Sequence, residues 1–301
     1  MARNLKYQLN YCVNFCFKEK IDKHSEKKNG KINSGKIFSY ADRKNMIDFT
    51  ANFANFMKKN HPKIKFAKDI KSEHIQEFIN LKAKSCSDAT IKSYISHSKK
   101  LEKIINKTYN AKVKFEVLAV PAKNNTKLRN SSMRNEDFEK IINTYSNPYN
   151  DTGAIALNIA ARSGLRIEEI SKLKVSDINI QERYINVVDG KGGRDRKVQI
   201  QERDIEYYKK LKDEIGEGRC ITAQKNSISK NVNRHMKQAK IKEKYIDSCL
   251  HCVRKMYAQR RFDELREQGK SIVDAWGIVS TELGHSANRE KLMKVYIKNI
   301  Y

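Results

Sequence analysis

Apolar residues in the first third of the chain recur every three or four positions, which is typical of amphipathic helices. In residues 39–60 one helix face would carry the apolar side chains Met46, Phe49, Phe53 and Phe56. The same spacing in KSEHIQEFINLKAK and in SDATIKSYISHSKKLEKIINK predicts two further helices. Residues 5–17 fit both a strand and a helix, because they alternate at period two and also repeat at helical spacing. We favour a helix there.

The pattern breaks in AKVKFEVLAVPAKNNTKLRNSSM, residues 111–133. A short strand-like run ends at Pro121, and a polar, basic stretch follows. We therefore predict three regions: a helical domain over 1–115, a basic linker over 116–133 and a second domain over 134–301.

Beyond the linker the pattern is mixed. DTGAIALNIAARSGL is apolar almost all round, which predicts a buried helix. NIQERYINVVDGKGGRDRKVQI has two β-prone runs around a glycine-rich tip, which predicts a hairpin. Helical spacing resumes near residue 201. The expected fold class is mainly α with a small β-sheet or hairpin in the second domain, an α+β arrangement.

Charge points to a polyanionic partner. The 301 residues include 62 Lys and Arg and 35 Asp and Glu, for a net charge of +27. Nucleic acid is the first candidate and anionic membrane the second, while a lysine-rich solvated surface without function is the simplest alternative. No secretory signal and no apolar run of membrane-spanning length stand out. We expect a cytoplasmic protein with six reduced cysteines.

Two basic stretches are candidates for the contact with nucleic acid. One predicted helix face presents lysines and small hydroxyls that could lie on a DNA backbone: Lys92, Ser93, Ser96 and Lys99. Ordinary solvent-exposed surface explains this face equally well. Basic linkers suit a protein that wraps a polyanion, and this linker carries Lys127 and Arg129.

Two cations stand at breaks in the pattern. Arg166 follows Gly164 between two helices, where it would pair with an anionic ligand or form a structural ion pair with Glu168 or Glu169. Lys191 lies at the tip of the predicted hairpin, where flanking glycines would let it reach a ligand. A solvated turn lysine is the alternative.

The stretch SCLHCVRKMY permits two interpretations. Cys249 and Cys252 flank His251 like half of a zinc site, but no second pair of ligands follows at usable spacing. His251 and Arg254 would share one helix face, as a pair that binds phosphate does. We favour the second interpretation and expect neither metal nor cofactor.

The order of these residues carries more information than each alone. After Arg166, Lys191 and the HCVR pair come His285 in ELGHS and then Tyr296. This order resembles the tyrosine recombinase (phage integrase) family, specifically in residues 163–301 and loosely in residues 38–105. SGLRIEEISKL resembles the family's first arginine box, and LGHS resembles its late histidine box.

The resemblance implies that residues 1–115 form a helical core-binding (DNA-binding) domain and residues 134–301 a catalytic domain. The two domains would form a clamp around DNA, and cleavage would need neither metal nor ATP. Tyr296 would be the nucleophile that forms a 3′-phosphotyrosine link. Arg166, Arg254 and His285 would stabilise the phosphate, His251 would act as acid or base, Lys191 would be the general acid, and Glu169 would support Arg166 from behind.

The resemblance also implies partners. We expect a homo-tetramer on two double-stranded DNA sites that passes through a Holliday junction, in a mobile element or prophage, associated with the nucleoid and with a possible accessory directionality protein. The alternatives are a type IB topoisomerase and a DNA-binding regulator with a decayed active site.

One spacing departs from the family's. His285 and Tyr296 are eleven residues apart, where the family more often has about nine, and we expect an insertion in the connecting turn. Tyr301 is a rival nucleophile.

Overall fold

The computed structural model describes residues 4–19, 35–122, 131–190, 194–246, 249–287 and 289–300, without the side chain of residue 194. The chain divides into two compact units, Met1–Thr126 and Lys127–Tyr301. This division falls inside the predicted linker. Lys127, Arg129, Lys191 and Tyr301 lie outside the described residues, so their predicted roles stay predictions.

The first unit is helical. Its helices are α1 (Leu5–Cys16), α2 (Tyr40–Asn60), α3 (Ser72–Ala83) and α4 (Asp88–Tyr109), with a 3₁₀ turn at Ala67–Asp69. The helix predicted for residues 5–17 is confirmed by α1. Its apolar positions Leu5, Leu9, Cys12, Val13 and Cys16 are all buried, because the helical repeat places them on one side.

Aromatic side chains fill the core of this unit at the positions that the spacing predicts. Phe53 and Phe78 meet edge to face at 5.4 Å between ring centroids, a favourable geometry for aromatic pairs. Ser39 caps α2 by accepting from the backbone N–H of Asp42 at 3.1 Å. Asp42 in turn binds Lys100 of α4 at 2.6 Å.

The second unit is mainly helical with one small sheet. Its helices are α5 (Asn135–Ile142), α6 (Thr152–Ser163), α7 (Ile167–Ile170), α8 (Ile205–Ile215), α9 (Lys225–Gln238), α10 (Cys249–Glu267), α11 (Ile272–Glu282) and α12 (Glu290–Tyr296). Short 3₁₀ turns occur at Val175–Asp177, Glu202–Asp204 and Lys242–Tyr245. The predicted fold class is thereby confirmed.

The sheet has three antiparallel strands in the order β1 (Ile178–Asn179), β2 (Tyr184–Gly190) and β3 (Arg194–Gln199). β2 and β3 form the predicted hairpin, and Ile185 lies opposite Val198 in its register. Both side chains are fully buried. Alternation therefore turns Arg196, two residues before Val198, towards the inside of the unit.

Helix α6 is buried along almost its whole length, as its apolar sequence predicts. It ends at Ser163, and Gly164 follows with a φ of +61°, a left-handed conformation that glycine adopts without a steric penalty. A Cβ at this position would lie 2.4 Å from the ring of Tyr257. The sharp turn at Gly164 places Arg166 immediately before α7.

No helix among the described residues is long and apolar enough to cross a membrane.

Candidate active site

The candidate site is built around the end of helix α11. The helix ends at Glu282, and Gly284 follows with a φ of +68°. A Cβ at Gly284 would lie 2.8 Å from Nη1 of Arg166 and 2.9 Å from Nη1 of Arg196. Only a glycine lets the two guanidinium groups come this close to the backbone.

Arg166 is held by a carboxylate from its own turn. Its Nη1 donates to Oε1 of Glu169 at 2.9 Å, and its backbone N–H donates to Oε2 at 2.8 Å. Its Nη2 lies 3.3 Å from Nε2 of His285 and 3.5 Å from the carbonyl oxygen of Gly284. The ion pair with Glu169 that the sequence suggested for Arg166 is thus present, and the guanidinium group also lies beside His285.

Arg254 is almost completely enclosed, with 2% of its surface exposed. It donates to the carbonyl oxygens of Gly164 and Leu283, and its guanidinium carbon lies 5.8 Å from the ring centroid of Tyr296. Burial lowers the pKa of Arg254 to about 10, against the opposing effect of Tyr296. The side chain therefore remains a cation at neutral pH.

Glu169 is the buried counter-ion, with 4% of its side chain exposed. Burial by itself raises the pKa of Glu169, but hydrogen bonds and charge from Arg196, followed by those of Arg166, outweigh burial and bring it to about 2. Glu169 is therefore ionised at neutral pH, and the supporting position predicted for it lies behind Arg166.

Arg196 is a residue of the site that sequence reasoning missed. Its Nη1 and Nη2 contact the two oxygens of Glu169 at 2.9 and 2.8 Å, and its Nε donates to the carbonyl oxygen of Glu282 at 2.8 Å. A signal existed, because alternation along β3 puts this arginine on the same inward face as Val198. A charged residue on the buried face of a strand requires a partner.

Tyr296 ends helix α12 and is 6% exposed. Its phenol oxygen lies 3.5 Å from Nε2 of His285. Its ring packs with that of Trp276 at 6.3 Å between centroids. The candidate nucleophile thus lies against His285.

His251 meets the same tyrosine from helix α10. Its ring stands edge to face with the ring of Tyr296 at 5.8 Å between centroids. Because His251 and Arg254 are three residues apart on one helix, their side chains reach the site together. The phosphate-binding interpretation of SCLHCVRKMY therefore agrees with the geometry.

The two cysteines beside His251 are engaged with backbone carbonyl groups. Cys252 is buried and donates to the carbonyl oxygen of Cys249 at 2.8 Å, and the Cys249 thiol donates to that of Ser229 at 3.8 Å. Within the described ranges, no group of three or more His, Cys, Asp and Glu side chains could hold a metal ion.

Six of the predicted side chains therefore come together in the second unit: Arg166, Glu169, His251, Arg254, His285 and Tyr296. With Arg196, the site has three guanidinium groups, two of which pair with the carboxylate of Glu169. The excess of positive charge suits a phosphodiester, and planar guanidinium groups suit its oxygens.

The basic face predicted in the first unit lies on α4. Lys92, Ser93, Ser96 and Lys99 are all exposed there. Exposure is necessary for the contact with DNA and does not test it.

Solved structures with the same fold include three DNA recombinases. XerH site-specific recombinase, bound to palindromic difH substrate in a post-cleavage complex, has a TM-score of 0.63 and 18% identity, and the match covers 98% of this chain and 91% of that chain. A lambda integrase dimer bound to a COC′ core site has a TM-score of 0.62 and 16% identity, with 92% and 77% covered.

The third is the Tn1549 transposon integrase in complex with a circular intermediate DNA. Its TM-score is 0.60 and its identity 13%, with 98% of this chain and 96% of that chain covered. At these identities the likeness shows a shared fold. No curated protein sequence matches the chain.

The sequence profile of the phage integrase family matches residues 131–266. This segment contains the first arginine box, the β2–β3 hairpin and the His-x-x-Arg pair. Residues 131–266, within the second unit, therefore carry a phage integrase family domain, the domain of the tyrosine recombinases, and the protein is a DNA recombinase.

Proposed function

We propose that Tyr296 is the residue through which this recombinase cuts and rejoins DNA. Its phenol oxygen attacks a backbone phosphorus, the new bond joins the phenol oxygen to phosphorus, and the bond from phosphorus to the 5′ oxygen breaks. The products are a 3′-phosphotyrosine link and a free 5′-hydroxyl. Attack of a 5′-hydroxyl on the link then rejoins the strand and releases Tyr296.

One observation carries this proposal: Tyr296, His285 and the guanidinium groups converge at the end of α11. The phenol oxygen lies 3.5 Å from His285, and the same imidazole nitrogen lies 3.3 Å from Arg166. Arg254 faces the tyrosine ring at 5.8 Å. A phosphate placed against the phenol oxygen would therefore meet fixed positive charge.

The arginines stabilise the transition state. The pentavalent phosphorus gathers negative charge on its non-bridging oxygens, and prearranged donors in a water-poor site stabilise such charge strongly. Arg254 is buried and Arg166 is fixed by Glu169, so neither needs to reorganise when the charge develops. His285 adds a third donor to the same oxygens.

Two proton transfers complete the chemistry. An unperturbed tyrosine has a pKa of about 10, so its proton must leave during the attack. We assign that role to His251, whose ring faces Tyr296. We assign protonation of the leaving 5′ oxygen to Lys191, which follows strand β2 at Gly190 and lies outside the described residues.

DNA contact by the first unit is part of the same proposal. The exposed face of α4 and the linker residues Lys127 and Arg129 would neutralise backbone phosphates, in keeping with the net charge of +27.

We further propose that a homo-tetramer acts on two duplexes, by way of a Holliday junction. A groove of about 980 Å³ lies between α11 and α12, with Trp276, Val273 and Met293 among its lining residues. Val273 is 72% exposed, so part of the apolar lining of the groove is open to solvent. Docking of a neighbouring protomer there would couple the tyrosine helices of two subunits.

The setting of the reaction is the remaining part of the proposal. A mobile element or prophage would supply the DNA sites, an accessory protein would set direction, and the enzyme would work on the nucleoid. The tyrosine recombinase fold and the phage integrase match support this setting.

The test of the nucleophile uses a pool of nicked duplexes of random sequence, in which cleavage releases a short fragment and traps the covalent adduct. We expect the wild type to give an adduct that resists detergent, and Tyr296→Phe to give none while its DNA affinity stays within about threefold. Tyr301→Phe is the matched control and should trap DNA like the wild type. An adduct formed by Tyr296→Phe would refute the assignment.

A further inference from the structure

Three arginines meet three successive carbonyl groups at the end of helix α11. Arg196 Nε donates to Glu282 O at 2.8 Å, Arg254 donates to Leu283 O, and Arg166 Nη2 lies 3.5 Å from Gly284 O. The last carbonyls of a helix lack partners within the helix and form the negative end of its dipole. The end of this helix therefore holds three positively charged guanidinium groups at set distances from one another.

The guanidinium nitrogens of Arg196 are used within the protein. All three donate to protein acceptors: Nε to Glu282, and Nη1 and Nη2 to the two oxygens of Glu169. The side chain is 8% exposed. Its geometry thus joins strand β3 to both the carboxylate and the helix end.

Arg166 depends on the same carboxylate oxygen. Nη1 of Arg166 and Nη1 of Arg196 both lie 2.9 Å from Oε1 of Glu169. Glu169 lies in a short helix of four residues, and within that turn the backbone N–H of Arg166 donates to its Oε2 at 2.8 Å. Whatever fixes Glu169 also fixes the direction in which Arg166 points.

We propose that Arg196 is a positioning residue for DNA cleavage: it locks Glu169 against the end of α11 and so keeps Arg166 aimed at the scissile phosphate. The inference rests on the proposed function for its effect on cleavage. The charge balance agrees with it, because Arg196 heads the influences that overcome burial and lower the pKa of Glu169.

The closing experiment compares Arg196→Gln, Arg196→Lys and the control Arg183→Gln. Arg183 makes the same kind of pair, with Glu202, but both partners are more than half exposed. Two readouts are taken: the rate of covalent trapping on the nicked pool, and the rate at which phenylglyoxal modifies Arg166, followed by mass spectrometry of the peptide. The second readout needs no catalysis.

We expect Arg196→Gln to trap DNA about 100-fold more slowly, as a misaligned catalytic group does, with DNA affinity within about threefold. Arg196→Lys should restore roughly tenfold of that loss, because it keeps the charge and gives up the paired contact. Arg166 should be modified several-fold faster in Arg196→Gln, because its guanidinium is no longer held. Arg183→Gln should match the wild type in both readouts.

A thermodynamic cycle with Glu169→Gln separates positioning from general stability. If Arg196 acts through Glu169, adding Arg196→Gln to Glu169→Gln should slow trapping by less than about threefold. A fully additive loss, or an unchanged rate of Arg166 modification in both Arg196 variants, would overturn the proposal. A wild type that forms no adduct at Tyr296 would refute the proposed function instead, and the modification rate would still decide the role of Arg196.

Discussion

At the scale of single residues, the site depends on one carboxylate that is kept ionised inside the protein. Glu169 is buried, yet its pKa lies at about 2, below the ordinary value of 4.5, because Arg196 and Arg166 outweigh burial. A depressed carboxylate pKa stabilises the folded state above the unfolded pKa, and this stability is lost as pH falls towards the folded pKa.

This linkage predicts an acid-dependent loss of stability that belongs to Glu169. The shift contributes about 3 kcal/mol to the free energy of unfolding above pH 5. The stability lead of the wild type over Glu169→Gln should therefore shrink by about 2 kcal/mol between pH 6 and pH 3, measured by urea unfolding. The neighbouring carboxylate Glu168 is 63% exposed, and Glu168→Gln serves as the control. A lead that is constant with pH would contradict the assigned ion pair.

At the scale of elements, the backbone at the end of α11 sets the positions of the arginines in the site. At Gly284 a Cβ would lie within 3 Å of the guanidinium groups of both Arg166 and Arg196, and the positive φ allows the chain to turn there. Gly269 also has a positive φ, of +81°, but a Cβ there would meet nothing within 4 Å.

Alanine at these two glycines should therefore act differently. Both substitutions strain the backbone by about 1 kcal/mol. Only Gly284→Ala displaces Arg166 and Arg196, so it should slow covalent trapping by about 100-fold, whereas Gly269→Ala should keep the wild-type rate. Equal rates for the two variants, in the trapping assay on the nicked pool, would mean that the helix end does not set the position of the arginines.

The same scale explains what the sequence could and could not predict. Helical spacing predicts α1 to α4 and buried α6, and alternation predicts the β2–β3 hairpin, because each pattern is local. The site could be predicted only through the family resemblance. That resemblance implies that five residues far apart in sequence lie close together: Arg166, His251, Arg254, His285 and Tyr296.

The sequence did not identify Arg196 as a residue of the site, because its partners are distant in sequence. Glu169 lies 27 residues earlier and Glu282 lies 86 residues later, and backbone carbonyls leave no trace in the sequence. The inward face of β3 was the one available signal. The roles of Lys191, Lys127 and Arg129 stay predictions.

At the scale of the whole molecule, the charge of +27 should govern DNA binding. Each lysine that neutralises a phosphate steepens the salt dependence of affinity by about 0.9 in a plot of log K against log salt. Replacing Lys92 and Lys99 by glutamine should therefore lower that slope by roughly two. The control pair Lys58 and Lys59 is exposed at the end of α2 and should leave the slope unchanged. Unchanged slopes for both pairs would remove α4 from the DNA interface.

The central claim is that Tyr296 carries the DNA between cleavage and rejoining. Its most direct test is mass spectrometry of the wild-type adduct formed on the nicked pool, after digestion with protease and nuclease. We predict a nucleotide joined through its 3′ phosphate to the peptide that contains Tyr296. A nucleotide on Tyr301 or on any other residue, or a link through a 5′ phosphate, would contradict the account.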